Sequence, residues 1–324
     1  MERDRLDYQT ALSESWKRQI LLNLVRLRYA DAPVFLEVTS IISQYTAETQ
    51  LNAGTTLHNP HWWREDVFGA SGTISDRPTV TYMPMTGEKF ARSLFTPIPP
   101  ATIVALVQSG WPVDTVFRLT CSSINGIRNR TSGPIMGRAG DPQFEELLEV
   151  LRRIQLDDTI AARVEKKNNR EQAVVILGRN VSPQVGSDGA RGREMLGLDP
   201  NANEFRLVYG ALASDKTELA MLTRSMSHLL LELSACVEVP PEHVAGGKTY
   251  PASDDKKSVS FIRIHSGAGK PSNAFATVPY RGYWYWVDDG DLSSKRMLSL
   301  IMMFFSLVET GGASGAPIVT VQAG

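Results

Sequence analysis

The chain has 324 residues, of which 42% are apolar and 21% charged, and its formal net charge is −1. That length buries a core without disulfide or metal staples. The charge balance excludes a basic field for nucleic acid and an acidic tail.

The opening Met1-Glu-Arg-Asp-Arg is charged and carries no apolar signal segment. From Ala11 to Tyr29, the residues Trp16, Ile20, Leu21, Leu24, Val25 and Leu27 recur at helical spacing. Lys17, Arg18, Arg26 and Arg28 fall on the other face, which is expected to be solvated. Asp31-Ala-Pro33 ends this helix, because a residue before proline is pushed towards extended backbone. Val34–Tyr45 then alternates as a strand. A loop with an aromatic knot follows, His58-Asn-Pro-His-Trp-Trp63, and runs on through Gly69-Ala-Ser-Gly72. Pro78–Met83 reads as a strand and Glu88–Leu94 as a short helix. Prolines at 97, 99 and 100 open a helix over Ala101–Gln108, where a missing N–H costs nothing.

Val113–Ser122 reads as a strand, and Thr131–Gly140 as a linker rich in turn formers. Asp141-Pro142 opens a helix to Arg153. Thr159–Glu165 and Gln172–Leu177 form a hairpin, and Arg179–Asn203 a long loop around a short helix at 191–196. Glu204–Gly210 is a strand and Glu218–Ala235 an amphipathic helix. Ser258–His265, Ala274–Tyr280 and Tyr283–Val287 are strands. Leu292–Glu309 is apolar almost all round, so it is expected to be buried on nearly all sides. Its longest apolar run, Met297–Val308, is 12 residues, short of the ~20 a membrane-spanning helix needs. Pro317–Val321 is a last strand.

The expected fold class is α+β, with helices packed on mostly antiparallel sheets. It is expected in two lobes, 1–135 and 136–324, that meet near residues 131–142 and share a sheet.

Motifs for chemistry are weak. Ser266-Gly-Ala-Gly-Lys270-Pro-Ser272 imitates a phosphate loop, yet Pro271 stands where a magnesium-binding Ser or Thr belongs and the following segment reads as strand. Asp288-Asp289-Gly-Asp291 offers carboxylates, but without calcium-loop spacing it reads as a turn and a helix cap. His58 and His61 with Glu65 and Asp66 form the sequence's single histidine–carboxylate cluster, one ligand short of a zinc site. Cys121 and Cys236 sit among apolar or small residues and read as buried free thiols, with a disulfide as the alternative. Nucleophile elbow, zinc helix, Cys-x-x-Cys and dinucleotide fingerprint are all missing from the sequence. No catalytic residue, metal or cofactor is therefore assigned, and a non-enzyme is favoured over an enzyme.

The informative residues are surfaces. Trp62 and Trp63 stand on a loop, and Tyr283, Trp284, Tyr285 and Trp286 put aromatics on both sides of one strand, ahead of Asp288 and Asp289. A strand of that pattern is expected to be covered on both faces. Aromatics cost little entropy to immobilise and dominate interface hot spots. The leading expectation is a non-enzymatic module acting by assembly, as a homo-oligomer through the Trp62-Trp63 loop. The alternative is a small-molecule or carbohydrate binder, or an enzyme, with an aromatic cleft served by Asp288, Asp289 or Glu65.

Three segments carry a family resemblance. They are Ser15–Leu36 (SWKRQILLNLVRLRYADAPVFL), Arg77–Phe90 with Thr96-Pro-Ile-Pro-Pro100, and Tyr283–Asp289 with Ser294-Lys-Arg296. Together the chain resembles an uncharacterised family of Gram-negative bacterial proteins labelled lipoproteins. The resemblance implies a periplasmic cell-envelope location, anchored to the outer membrane by a lipidated N-terminus upstream, with the cytoplasm as the alternative. It implies partners in the envelope, either a second copy or another envelope protein.

Overall fold

In the computed structural model, the described residues are 2–42, 45–56, 65–76, 79–132, 137–157, 160–167, 170–177, 183–251 and 261–309. The fold is α+β. The chain divides into two compact units, Met1–Val34 with Thr86–Gly311, and Phe35–Met85 with Gly312–Gly324. The expected lobe boundary at 135/136 lies outside the described residues, as do the Trp62-Trp63 loop, His58, His61, residues 258–260 and the strand at 317–321. The rest of the segment expected as a strand over Ser258–His265 becomes strand only at His265.

Helix α1 (Glu2–Arg28) buries Ile20, Leu21, Leu24 and Val25 as one stripe. It ends in a left-handed cap rather than at the proline. Ala30 has φ 57°, its N–H bonds Leu27 O at 3.1 Å, and Asp31 N–H bonds Arg26 O at 2.9 Å. Asn23, wholly buried, then brackets the backbone of Val34, donating to its O (2.8 Å) and accepting from its N–H (2.9 Å). The face expected to be solvated is partly inside. Arg28 is buried because carbonyls of Val237, Tyr250 and Pro251 take its guanidinium, and Lys17 is buried with its ammonium 4.3 Å from the Phe275 ring centre.

The smaller unit is built from two ribbons. Strand β1 (Leu36–Ile42), the long β2 (Tyr45–Thr56), the equally long β3 (Glu65–Asp76) and β4 (Thr79–Pro84) pair as β1–β4 and β2–β3, both antiparallel. Gly69–Gly72, expected in a loop, lies within β3. Met85 N–H donates to Phe35 O (2.9 Å) and closes the base of the excursion.

The larger unit continues with α2 (Gly87–Phe95), α3 (Pro100–Gln108) and α4 (Val113–Thr120). The expected strand at 113–122 is thus mostly helix. Val113, Val116, Phe117 and Thr120 recur at i, i+3, i+4 and i+7 and are all buried, a helical period that their β-branched composition disguises. Then come β5 (Cys121–Ile124), β6 (Ile127–Arg128), α5 (Pro142–Leu156), β7 (Ile160–Lys167), β8 (Arg170–Leu177) and α6 (Pro183–Leu196). Helix α6 replaces most of the expected loop at 179–203.

Strand β9 (Glu204–Tyr209) leads to β10 (Glu218–Thr223) and α7 (Met226–Ser234). The helix expected over 218–235 is therefore half strand. Leu219-Ala-Met-Leu222 is an apolar run because β10 is central, between β5 and β9. The helix begins only after Ser225, whose side chain caps His228 N–H. The six-stranded sheet runs β6-β5-β10-β9-β8-β7, with β9–β10 its parallel pair. It takes strands from both sides of residue 135.

Short α8 (Pro241–Ala245) precedes a three-stranded sheet of order β11-β13-β12, from β11 (His265–Gly267), β12 (Ala274–Tyr280) and β13 (Tyr283–Asp288). The Ser266–Ser272 loop links two of these strands and opens no helix. Helix α9 (Leu292–Glu309) is buried along one stripe, Ser294, Met297, Leu298, Leu300, Ile301, Phe304 and Phe305. It is not covered all round. Leu292 is 64% and Met303 40% exposed, and Arg296 is exposed too. Its extra apolar residues lie off the stripe, and isolated exposed apolar side chains are ordinary. Among the described residues, no helix is long and apolar enough to cross a membrane.

Candidate functional site

The predicted aromatic strand is β13, and a two-residue turn fixes its register. Tyr280 pairs with Tyr283, so Arg281 and Gly282 are the turn, with φ of 48° and 85°. Two successive positive φ values match the right-handed twist of a hairpin. At the other end the acidic residues have local duties. Asp288 accepts Gly290 N–H (2.8 Å), Asp289 pairs with Lys295 (2.6 Å), and Asp291 caps α9 by accepting from Ser294 N–H (3.1 Å) and Ser294 Oγ (2.8 Å). The Ser294 N–H holds the Asp291 carboxyl below its usual range. Among the described residues, no three His, Cys, Asp or Glu side chains gather where they would hold a metal ion.

The two faces of β13 differ. On one, Tyr285 and Val287 are wholly buried with Ala276 and Val278 of β12. Here the Tyr29 hydroxyl stands 2.7 Å from His243 Nδ1 and 2.6 Å from the Tyr285 hydroxyl, giving a buried three-membered chain. Burial pushes both phenols above their ordinary pKa, so both remain neutral. Around its rim, Tyr283 donates to Glu242 and packs edge-on to His243, while Tyr280 and Arg281 both donate to Asp31.

On the other face Trp284 and Trp286 are half-buried, so coverage of both faces holds for one face only. Trp286 lies over Gly267, where an added Cβ would meet the indole at 3.2 Å. His265, opposite Trp286 in register, tilts against the indole at 5.6 Å and its Nδ1 is 3.1 Å from Glu238. Lys270 stands 5.5 Å over Trp284. The outer face is a two-indole platform with a rim of both charges. Its carboxylate is Glu238, which sequence reasoning did not single out. Asp288 and Asp289 belong to the turn instead.

Sequence reasoning also missed a charged cluster behind β5 and β10. Arg224 is 1% exposed and donates to the carbonyls of Leu119 (3.0 Å), Arg118 and Arg130. Glu232, also 1% exposed, stands 3.7 Å from it and takes the Ser132 N–H on both oxygens (2.8 and 2.9 Å). Burial lowers the Arg224 pKa, countered by Glu232. Burial alone would raise the Glu232 carboxyl, but His228 at 3.6 Å, Arg224 and the Ser132 N–H together hold it below its ordinary value. Cys121 is free and wholly buried, and burial pushes its thiol up to about 12. A thiol that stays protonated is a poor nucleophile. Cys236, half-buried, forms no disulfide either. The cluster stitches the end of α4 and the segment after β6 to α7, through Arg224 at the end of β10.

No known family model, curated protein or solved structure matches this chain, so its functional reading rests on the geometry above.

Proposed function

We propose that the protein is a non-enzymatic module of the cell envelope that acts by self-association, through the β2–β3 ribbon. The observation that carries this reading is the shape of that ribbon. It pairs 12 residues with 12 and, among the described residues, has no third strand. A lone two-stranded hairpin is marginal in water, and its outer edges present unpaired N–H and C=O groups that template pairing with another chain. Edge pairing between copies satisfies those groups. The resemblance to Gram-negative envelope lipoproteins supports the location.

The test is the mass of the full chain in solution, by light scattering at micromolar concentration. An oligomer is expected. Replacing residues 43–78 with Asn-Gly leaves Ile42 and Thr79, which already pair, joined by a two-residue turn. That variant is expected to be a folded monomer. A monomeric wild type, or a variant that keeps its oligomeric mass, overturns the reading.

A second reading is supported by the outer face of β13. Paired half-exposed indoles with Lys270, His265 and Glu238 at their rim have the chemistry of a carbohydrate platform. Quenching or shifting of tryptophan fluorescence by oligosaccharides, lost in Trp284→Ala with Trp286→Ala, distinguishes it from assembly.

A further inference from the structure

We propose a binding site for a small free carboxylic acid between the six-stranded sheet and the helices over it, with the acid's apolar body inside and its carboxylate on Arg193. The proposal is independent of the assembly reading. The site is a cavity of about 70 Å³ walled by Val104, Phe117, Ile154, Val175 and Phe205 among others. One water needs roughly 10–15 Å³ of such space and two or more polar partners. The cavity is several times larger than that, and its wall is almost wholly carbon, so water is poorly held there. An apolar body of roughly five to seven non-hydrogen atoms fits the same space on that scale.

Helix α6 contributes the other wall through Gly189, Gly192 and Arg193. Glycine inside a helix is disfavoured, so two of them on one buried face need a reason. At Gly192 an added Cβ would meet Val150 at 3.6 Å, an ordinary contact, so packing there does not demand glycine. Its missing side chain leaves the cavity open. At Gly189 an added Cβ would come within 3.3 Å of Arg193 Nη1, so glycine makes room for the guanidinium.

Arg193 is the one charged residue of the lining. Its Nε donates to Ala202 O (3.2 Å) and its Nη2 to Asn203 Oδ1 (3.3 Å), both neutral. Neighbouring carboxylates are engaged elsewhere, Asp188 with Arg153 (2.9 Å) and Glu194 with Arg191 (2.9 Å). Among the described residues, no carboxylate pairs with Arg193. Two anchors therefore fix a guanidinium beside an apolar space, with Nη1 next to Gly189 of its lining. A carboxylate is the group that such a fork recognises.

Calorimetric titration of the full chain with hexanoate, and with hexan-1-ol as the neutral probe, tests this. Hexanoate is expected to bind one to one and saturate, about tenfold more tightly than the alcohol, the typical worth of one charge-assisted hydrogen bond. Arg193→Gln should weaken hexanoate by about that factor and leave hexan-1-ol unchanged. Because Arg193 is half-buried and its present partners are neutral, this variant is expected to melt as the wild type does. Gly192→Leu fills the space and should abolish binding of both probes. Hexanoate that shows no saturable binding to the wild type, or binds Arg193→Gln as well as the wild type, overturns the proposal.

Discussion

Two buried polar networks hold the larger unit, and they work by different chemistry. Behind β5 and β10, Arg224 and Glu232 are both charged, and each is wrapped by backbone, the carbonyls of residues 118, 119 and 130 on one and the Ser132 N–H on the other. On the inner face of β13, Tyr29, His243 and Tyr285 form a chain of hydroxyls and one imidazole, with the two phenols held neutral. The lesson concerns what each network risks. A buried charge that loses its partner leaves a whole charge in low dielectric, whereas a buried hydroxyl that loses its partner leaves one dipole.

The largest expected effect therefore comes from breaking the charged network. Glu232→Ala strands Arg224 and should destabilise by about 3–5 kcal/mol, measured by denaturant unfolding. The double variant Arg224→Met with Glu232→Leu should recover most of that loss, because apolar replacement of a whole buried pair is often neutral. A double variant as unstable as the single one would show that Arg224's bonds to the carbonyls, rather than its charge balance, carry the cluster.

The neutral network should respond unevenly. Tyr285→Phe leaves Tyr29 with His243 and should cost about 1 kcal/mol. Tyr29→Phe removes the central member, leaves His243 Nδ1 and the Tyr285 hydroxyl unpaired, and should cost about 1–3 kcal/mol for each orphaned group. Equal losses in the two variants would mean that the chain is two independent contacts.

How far the sequence could show this follows from what each feature depends on. Strands β12 and β13 were legible because alternation and the turn are local, and α3 because its prolines are. Residues 113–122 and 218–235 were misread because burial overrode local pattern. Val113–Thr120 has strand composition at helical spacing, and Leu219–Leu222 is a central strand whose apolar run imitates a helix. The indole platform was legible as residues, but its exposed side was not, since exposure depends on what packs above. Tyr29 and Tyr285 lie 256 positions apart, so their pairing has no sequence signal. The cavity is an absence of atoms, and its glycines, 189 and 192, fell within the segment expected as a loop rather than in a helix.

Acidification separates the networks with a smaller effect. The Glu232 carboxyl is held below its ordinary value in the folded protein. Its stabilisation is therefore complete above the ordinary glutamate range and is lost as pH falls through the lowered folded value. The stability gap between wild type and Glu232→Gln should shrink as pH falls through that window. The gap between wild type and Tyr285→Phe should stay constant over the same carboxylate range, since the phenols remain protonated throughout. Parallel narrowing of both gaps would mean that the tyrosine chain depends on a carboxylate.

The smallest effect is expected at the edge of the neutral network, and it marks where burial stops mattering. Asp31 accepts from Tyr280 and Arg281, and these hydrogen bonds hold its carboxyl below the usual range, so its contribution too is lost as pH falls through the lowered value. Yet the side chains of Asp31 and Arg281 are each 40% exposed. Exposed pairs are worth at most about 1 kcal/mol, and salt screens them. If Asp31 is removed, Arg281 turns to water and the half-buried Tyr280 hydroxyl can follow, so no group is stranded. Asp31→Asn should cost less than about 1 kcal/mol, and less still in high salt. A loss as large as that of Tyr29→Phe, insensitive to salt, would place Asp31 inside the network rather than on its rim.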